Sequence, residues 1–240
     1  DSYTKLAQGE IDLFNDYLGD MKYTVAGENR LDNVVGYESP KIMDALTINV
    51  MAQTQDKSAG PKNGSSASVV YNNEEMGVYA ALAIDNNIYG AIALSSTKRQ
   101  NDNIRLVGSY KIQDLTVNAL YQTSKAYGVA VGADKNLSSQ ETSWQLGAAY
   151  KIADETLKVQ FGEAKADDNA APVQKHTQFS VGADHNFTSK TKAPVPSAIF
   201  LLIIEDAING IASTVAVTSR RAYNFLSAGA KPAPAAQITP

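Results

Sequence analysis

Short runs of alternating apolar and polar residues fill the chain between about residues 31 and 187. In Leu115–Gln122 and in Trp144–Tyr150 every second residue is apolar, which is typical of a β-strand with two unlike faces. A helical period fits these runs poorly, because their polar residues would fall on every side of a helix. The alternation predicts nine strands, at about residues 31–39, 45–53, 67–72, 76–84, 103–110, 115–122, 142–150, 156–164 and 177–187.

The connections between these strands are of two kinds. Short polar turns fall near residues 40–44, 73–75, 111–114 and 151–155, whereas longer segments rich in Asn, Asp, Lys, Gly and Ser cover residues 54–66, 85–102, 123–141 and 165–176. A motif that begins at Tyr110-Lys111-Ile112 returns at Tyr150-Lys151-Ile152, and looser versions begin at Tyr37 and Tyr71. The sequence therefore predicts an all-β antiparallel meander of hairpins, with short turns at one end and long loops at the other. This asymmetry is typical of a transmembrane β-barrel.

Each strand is predicted to have one apolar face and one polar face. The apolar set is Val117, Ala119 and Tyr121; Trp144, Leu146, Ala148 and Tyr150; Leu157, Val159 and Phe161; and Phe179, Val181 and Ala183. The polar set is Thr116, Asn118 and Gln122; Ser143, Gln145 and Gly147; Lys158, Gln160 and Gly162; and Gln178, Ser180 and Gly182. In a soluble sandwich the apolar face would pack against a second sheet, and in a membrane barrel it would meet lipid. Aromatic residues at strand ends and runs of ~8–10 residues favour the membrane barrel.

The composition excludes several classes of function. The 240 residues carry 25 acidic and 21 basic side chains, a net charge of −4 that argues against general nucleic-acid binding. The absence of cysteine excludes disulfide scaffolds, thiol nucleophiles and cysteine-ligated zinc. His176 and His185 are the only histidines, so a histidine-rich metal site is also disfavoured. We expect no cofactor, no metal and no nucleic-acid partner.

Two neighbouring sequence segments near the start of the chain resemble a known family. The segment Leu6–Asp20 is similar to the third external loop of the general porins of Gram-negative bacteria, and Gly27–Tyr37 is similar to the strand that leaves that loop. The likeness is to the marine gammaproteobacterial type and covers roughly residues 1–192. The resemblance implies a homotrimeric 16-stranded barrel in the bacterial outer membrane, in contact with lipids and lipopolysaccharide. Such a barrel passes small hydrophilic solutes and ions by diffusion and is not an enzyme.

The chain departs from that pattern at both ends. Members of the family have strands before the loop and finish in a strand with a C-terminal aromatic residue, whereas this chain begins at Asp1 and ends at Pro240. We therefore expect an incomplete part of a 16-stranded barrel. Residues 1–192 would form the barrel region, with 1–29 resembling the constriction loop and 30–192 forming the hairpin array. Residues 193–240 form an atypical segment, in which the apolar run Ala198–Ile204 permits a short strand or a helix.

The resemblance also suggests candidate pore residues. Four carboxylates of the loop-like segment would narrow the pore and face cations on the wall, so that a transverse field orients solutes. These carboxylates are Glu10, Asp12, Asp16 and Asp20. Strand parity nominates Arg30, Arg105 and Lys158 as the basic residues that line the lumen. The alternatives are a solvated acidic loop and basic residues at the rim.

Two other functions stay open from the sequence alone. The adjacent pair Asp184-His185 is the material for a catalytic dyad, so an outer-membrane barrel hydrolase is one alternative. A soluble β-sheet binding protein is the other. No catalytic residue is nominated, because no nucleophile motif accompanies the pair.

Overall fold

The structure is a computed structural model of the chain. It describes residues 1–15, 17, 19–28, 30–54, 63–92, 95–127, 139–168, 173–188, 191–194, 200–207 and 214–218. A short helix α1 (Tyr3–Gln8) and a 3₁₀ turn (Met21–Tyr23) precede the strands. No helix among these residues is both long enough and apolar enough to cross a membrane. The strands are β1 (Val34–Glu38), β2 (Leu46–Gln53), β3 (Gly64–Asn73), β4 (Val78–Ile92), β5 (Ser95–Ile112), β6 (Leu115–Tyr127), β7 (Ser139–Ile152), β8 (Glu155–Asp168), β9 (Gln174–Thr188), β10 (Thr191–Pro194), β11 (Phe200–Ala207) and β12 (Thr214–Thr218).

All twelve strands belong to one antiparallel sheet. Strands β1 to β9 pair in chain order, β11 follows β9 and β12 follows β11, while β10 also pairs with β9. This order confirms the all-β meander. In the part of the chain that is described, β1 and β12 each have one strand neighbour, and no pairing joins them.

The nine predicted strands correspond to β1–β9, but several run well beyond their predicted ends. β4 has 15 residues and β5 has 18, so most of the loop predicted at residues 85–102 is instead a continued hairpin. The pairing passes through a bulge between Asp85 and Ile88, where Asn87 takes a φ of 52°. The loop prediction was wrong because it followed the apolar alternation, which fades here while the backbone ladder continues.

The tight turns lie where they were predicted. Gln113-Asp114 joins β5 to β6, and Ala153-Asp154 joins β7 to β8. The first residue of each has a positive φ, 53° at Gln113 and 52° at Ala153, as two-residue hairpin turns require. Backbone bonds also join neighbouring hairpins, since Lys151 N donates to Asp114 O at 2.9 Å.

The outward face of the sheet is apolar and the inward face is largely polar. Leu146 and Tyr121, on neighbouring strands, are 54% and 50% exposed, whereas Gln122 and Gln145 on the opposite face are buried. This division confirms the two faces predicted from the alternation. It is the reverse of a soluble sheet, in which the apolar face is the buried one.

The described residues of positions 1–28, here called the internal segment, lie against the inward face. Its apolar side chains pack against an apolar patch on the inward faces of β4, β5 and β6. The packed cluster consists of Ala7, Ile11, Met21 and Val25 from the internal segment and Tyr79, Ala81, Ala83, Val107 and Leu120 from the wall. This apolar patch was not predicted, because the polar face was assigned residue by residue only on β6 to β9 and most of the patch lies on β4 and β5. Leu120, which interrupts the polar face of β6, was the available signal.

The apolar run near the end of the chain takes the strand form. The described part of that run, Phe200–Ile204, lies in β11 and pairs with β9 from Val181 to Thr177. β12 adds one further antiparallel strand. That residues 193–240 form a segment separate from the barrel region stays a prediction.

Candidate functional site: the internal segment and its wall

Amide side chains on the inner wall bind the backbone of the internal segment. Each donates its NH₂ group to a main-chain carbonyl oxygen. The four bonds are Asn118 Nδ2 to Ile11 O at 3.0 Å, Gln122 Nε2 to Ala26 O at 3.1 Å, Gln160 Nε2 to Gly19 O at 2.8 Å and Gln178 Nε2 to Asp20 O at 3.4 Å. Because the acceptors are backbone atoms, these contacts fix the path of the segment's main chain and depend little on which side chains the segment carries.

Arg105 is the most densely bonded side chain at this interface. Its guanidinium, which has no exposed surface, donates to Thr4 O at 2.8 Å and to Ala26 O at 2.6 Å. It also bonds to Gln8 Oε1, to Gln122 Oε1 at 2.5 Å and to Glu28 Oε1 at 3.1 Å. One wall residue thus joins both ends of the internal segment to β5.

A second buried network holds helix α1. Thr4 Oγ1 donates to Asp85 Oδ2 at 2.5 Å, and Asn103 Nδ2 donates to the same oxygen at 3.0 Å. The hydroxyl of Tyr79 donates to Ala7 O at 2.6 Å. The helix is therefore attached to both β4 and β5, although it has only six residues and could not persist alone.

Glycines keep the wall and the segment close together. A Cβ on Gly19 would lie 2.7 Å from Ser180 Oγ and 2.8 Å from Phe14 Cγ, so a larger residue there would lift the segment from the wall. On the wall, a Cβ at Gly147 would collide with Asn118 Oδ1, and one at Gly162 would lie 2.8 Å from Gln145 Cγ. Small residues on the inward face therefore make room for the amides beside them.

The predicted acidic residues occupy different environments. Glu10 is exposed, Asp12 is half-buried and Asp20 is buried with its Oδ2 3.1 Å from Lys22 Nζ. Asp16 lies outside the described residues. Burial, with a smaller contribution from the charge of Asp20, raises the pKa of Asp12 to about 7, and the hydrogen bond from Phe14 N only partly offsets this rise.

The predicted basic residues are not placed side by side along an open lumen. Arg105 and Lys158 do lie on the inward face, but Arg105 is covered by the internal segment and Lys158 is 8% exposed. Lys158 Nζ lies 2.9 Å from Asp184 Oδ2 and donates to Leu13 O at 2.7 Å. Arg30 is exposed beside the start of β1. Whether any of the three shapes a transverse field stays a prediction.

Sequence reasoning missed the partners of these cations. Glu28, which pairs with Arg105, and Asp184, which pairs with Lys158, were not among the candidate pore residues. Burial raises the pKa of the Glu28 carboxyl, and the adjacent Arg105 guanidinium opposes that rise. Strand parity could have identified Asp184, because it places Asp184 and Lys158 on the same face. No local signal identifies Glu28.

The geometry does not assemble a dyad from Asp184 and His185. As neighbours along β9 they point to opposite faces of the sheet, and His185 Nδ1 lies 2.7 Å from Glu155 Oε1 on the outward face. The described residues also contain no group of three or more His, Asp or Glu side chains that could hold a metal ion. What the site provides is a wall of amides and paired charges around an inserted segment.

Comparisons with known proteins agree with this architecture. A family model described as Gram-negative porin matches residues 2–195. No curated protein matches the sequence. Among solved structures, the chain is similar to an anion-selective porin from Comamonas acidovorans, with a TM-score of 0.60 and 18% identity over 85% of this chain and 58% of that one.

The chain is also similar to OmpT, an outer membrane protein of Vibrio cholerae. The loop L8 deletion mutant of OmpT gives a TM-score of 0.58 at 14% identity, with 82% of this chain and 65% of that one covered. The in-vitro folded protein gives 0.56 at 14% identity, with 79% and 61% covered. This chain therefore spans about three fifths of the length of these structures, and at such identities the likeness concerns the fold.

Proposed function

Because the chain belongs to the Gram-negative porin family, we propose that it forms a water-filled channel in the bacterial outer membrane. Small hydrophilic solutes and ions pass it by diffusion, without catalysis. The observation that carries this proposal is the orientation of the sheet, with apolar side chains outward and amides and charges inward. A lipid environment makes that arrangement favourable. Transfer of each outward Leu or Phe side chain from water into lipid gains roughly 1.5–3 kcal/mol of free energy.

The outward apolar band has the dimensions of a membrane. On β8 and β9 it is bounded by two polar contacts, between Glu155 and His185 at the turn end and between Glu163 and Lys175 at the loop end. The eight residue steps from Glu155 to Glu163 span roughly 26 Å along the strand, or about 20 Å across the membrane at the usual barrel tilt. The apolar belt of outer-membrane barrels is of similar height, about 25 Å.

Two rows of aromatic residues border this band. Outward tyrosines lie at the turn end, among them Tyr110 and Tyr150, which are 47% and 48% exposed. At the loop end Tyr121 faces Trp144 across a strand pair, and the rings of Trp144 and Phe161 are 5.4 Å apart. Aromatic side chains at both edges of an apolar belt are typical of an outer-membrane barrel.

The internal segment is the proposed constriction. It lies on the inward face of a sheet whose outward face is exposed, so it occupies space through which solutes would pass. Glu10, Asp12, Asp16 and Asp20 are the carboxylates proposed to set ion preference there. A homotrimer in contact with lipids and lipopolysaccharide is part of the same proposal, and it rests on the family alone.

Two measurements test the channel proposal. In planar bilayers the folded chain should give discrete conductance steps, and steps at the background level would contradict the proposal. Trp144 is the one tryptophan and faces outward, so brominated acyl chains should quench its fluorescence in lipid vesicles. A Leu120→Trp, Trp144→Phe variant is the control, because position 120 is buried on the inward face and should escape quenching.

A further inference from the structure

The repeated Tyr-Lys-Ile motif has a geometric consequence at the turn end of the sheet. In both copies the tyrosine points outward, whereas the following lysine points inward. Lys111 lies opposite Thr116 across the β5–β6 pair, and Lys151 lies opposite Thr156 across the β7–β8 pair. The repeat therefore places the same pair, an ammonium beside a hydroxyl, at two places on the inner rim.

These two pairs line one cavity that is open to solvent, since the side chains of Lys111 and Lys151 are exposed. It has a volume of about 420 Å³ and lies between the turn-end rim and Leu13 of the internal segment. Binding sites for small molecules are typically ~300–1,000 Å³. The cavity is large enough for a small organic ion, and its walls come from five consecutive strands, β5 to β9.

The charges of the cavity are unevenly paired. Lys158 is already committed, since it contacts Asp184 at 2.9 Å and Leu13 O at 2.7 Å. Lys111 and Lys151 have no ion-pair partner among the described residues, and the one further carboxylate in the lining is that of Asp114. The cavity therefore has a net positive charge within a chain whose net charge is −4.

We propose that this turn-end cavity is a binding site for small oxyanions, solutes with a carboxylate or phosphate group. Lys111 and Lys151 supply charge-assisted hydrogen bonds, and the hydroxyls of Thr116 and Thr156 supply neutral ones. The transport consequence, that such anions pause at the rim during passage, rests on the proposed channel function. Binding itself does not require the chain to conduct.

Binding is measured on the full chain folded in detergent, by calorimetry at low ionic strength, with inorganic phosphate and with succinate as separate probes. Lys111→Gln combined with Lys151→Gln should weaken phosphate binding by about tenfold or more, because two charge-assisted bonds are lost. The matched control is Lys41→Gln with Lys125→Gln. It removes the same charge from positions that are exposed, as Lys111 and Lys151 are, but that lie outside the cavity, and it should change binding less than about twofold. Asp114→Asn should strengthen binding, because it removes the remaining carboxylate.

A measurement on the unmodified chain covers the case in which the variants fold poorly. Phosphate should protect Lys111 and Lys151 from acetylation, as read by mass spectrometry, while Lys41 stays reactive. The proposal is overturned if the cavity and control variants weaken phosphate binding equally. It is also overturned if neither phosphate nor succinate binds the chain or protects the two lysines. A chain that binds phosphate without conducting contradicts the channel proposal and leaves the site in place.

Discussion

Replacing Arg105 by methionine tests how the internal segment is held. Methionine keeps much of the side-chain volume and removes the charge together with all five hydrogen bonds of the guanidinium. The carboxylate of Glu28 then stays at the buried interface without its partner. Breaking a buried ion pair from one side typically costs ~3–5 kcal/mol, so the free energy of unfolding should fall by about that amount.

The alternative is that the segment leaves the wall and its polar groups meet water. That outcome exposes Ile11, Phe14, Met21 and Val25, whose side chains are at most 1% exposed. At roughly 1.5–3 kcal/mol for each side chain, detachment costs ~6–12 kcal/mol of apolar burial. Because this exceeds the cost of the broken pair, the segment should stay in place. The variant should therefore be less stable while its conductance is little changed.

Denaturant unfolding followed by Trp144 fluorescence measures the loss of free energy of unfolding in Arg105→Met. Arg30→Met is the control, because it removes an exposed arginine. Arg105→Met combined with Glu28→Gln should be more stable than Arg105→Met alone, since no charge is left buried. The loss in Arg105→Met should also be smaller at pH 5 than at pH 8, because without Arg105 the raised pKa of Glu28 rises further and the carboxyl takes up a proton. A loss below ~1 kcal/mol, or a several-fold rise in conductance, would refute this reasoning.

Three further substitutions have defined outcomes. The pKa of Asp12 is raised to about 7, so the folded state binds that proton more tightly than the unfolded state does. The free energy of unfolding should therefore fall by up to ~4 kcal/mol as the pH rises from about 4 to 7. Asp12→Asn should remove this pH dependence in a series of unfolding curves. Gly147→Ala should cost ~1–3 kcal/mol by displacing Asn118 from Ile11 O, whereas Gly108→Ala, whose added Cβ meets nothing within 4 Å, should cost little in the same assay. Leu146→Arg should cost ~2–4 kcal/mol in lipid vesicles, whereas a soluble sheet would tolerate it within ~0.5 kcal/mol, so an unchanged stability would contradict a lipid-facing surface.

The sequence predicted the strands well because each strand has one apolar face. The alternation around Trp144, Leu146 and Ala148 determined both the element and the direction of its side chains, and the turns at Gln113 and Ala153 were visible as polar interruptions. Strand ends were predicted poorly. Beyond Asp85 the ladder of β4 and β5 continues through a bulge on β4 and through a wholly polar run of β5 from Ser95 to Asn103, and backbone pairing along such a run leaves no alternation of apolar and polar residues.

The site was only partly predictable, for a different physical reason. Parity placed Arg105 and Lys158 on the inward face, where both side chains are buried, and their role in lining a pore stays a prediction. Strand parity gives no information on which other part of the chain covers a residue. The contacts of Arg105 with Ala26 O and Glu28 join positions about 80 residues apart, which a single sequence does not reveal. The amides of the wall were noted as polar residues, but their main-chain acceptors depend on the path of the internal segment.

The pairing of these charges changes which residues can act on a solute. The charge of Arg105 is offset by Glu28 and that of Lys158 by Asp184, so neither projects a full charge into the lumen. Among the described residues, Glu10 and Asp12 on the internal segment and Lys111 and Lys151 at the turn-end rim have no such partner, and the two sets lie apart. A solute that crosses the proposed channel would therefore meet the positive rim and the Asp12 carboxyl one after the other. It would not pass between acidic and basic groups that face each other at the same depth. On this view Asp12 makes the contribution of the proposed constriction carboxylates to ion preference depend on pH, and the two lysines of the repeat add a separate contribution at the rim. The cations buried in the wall serve to hold the constriction in place.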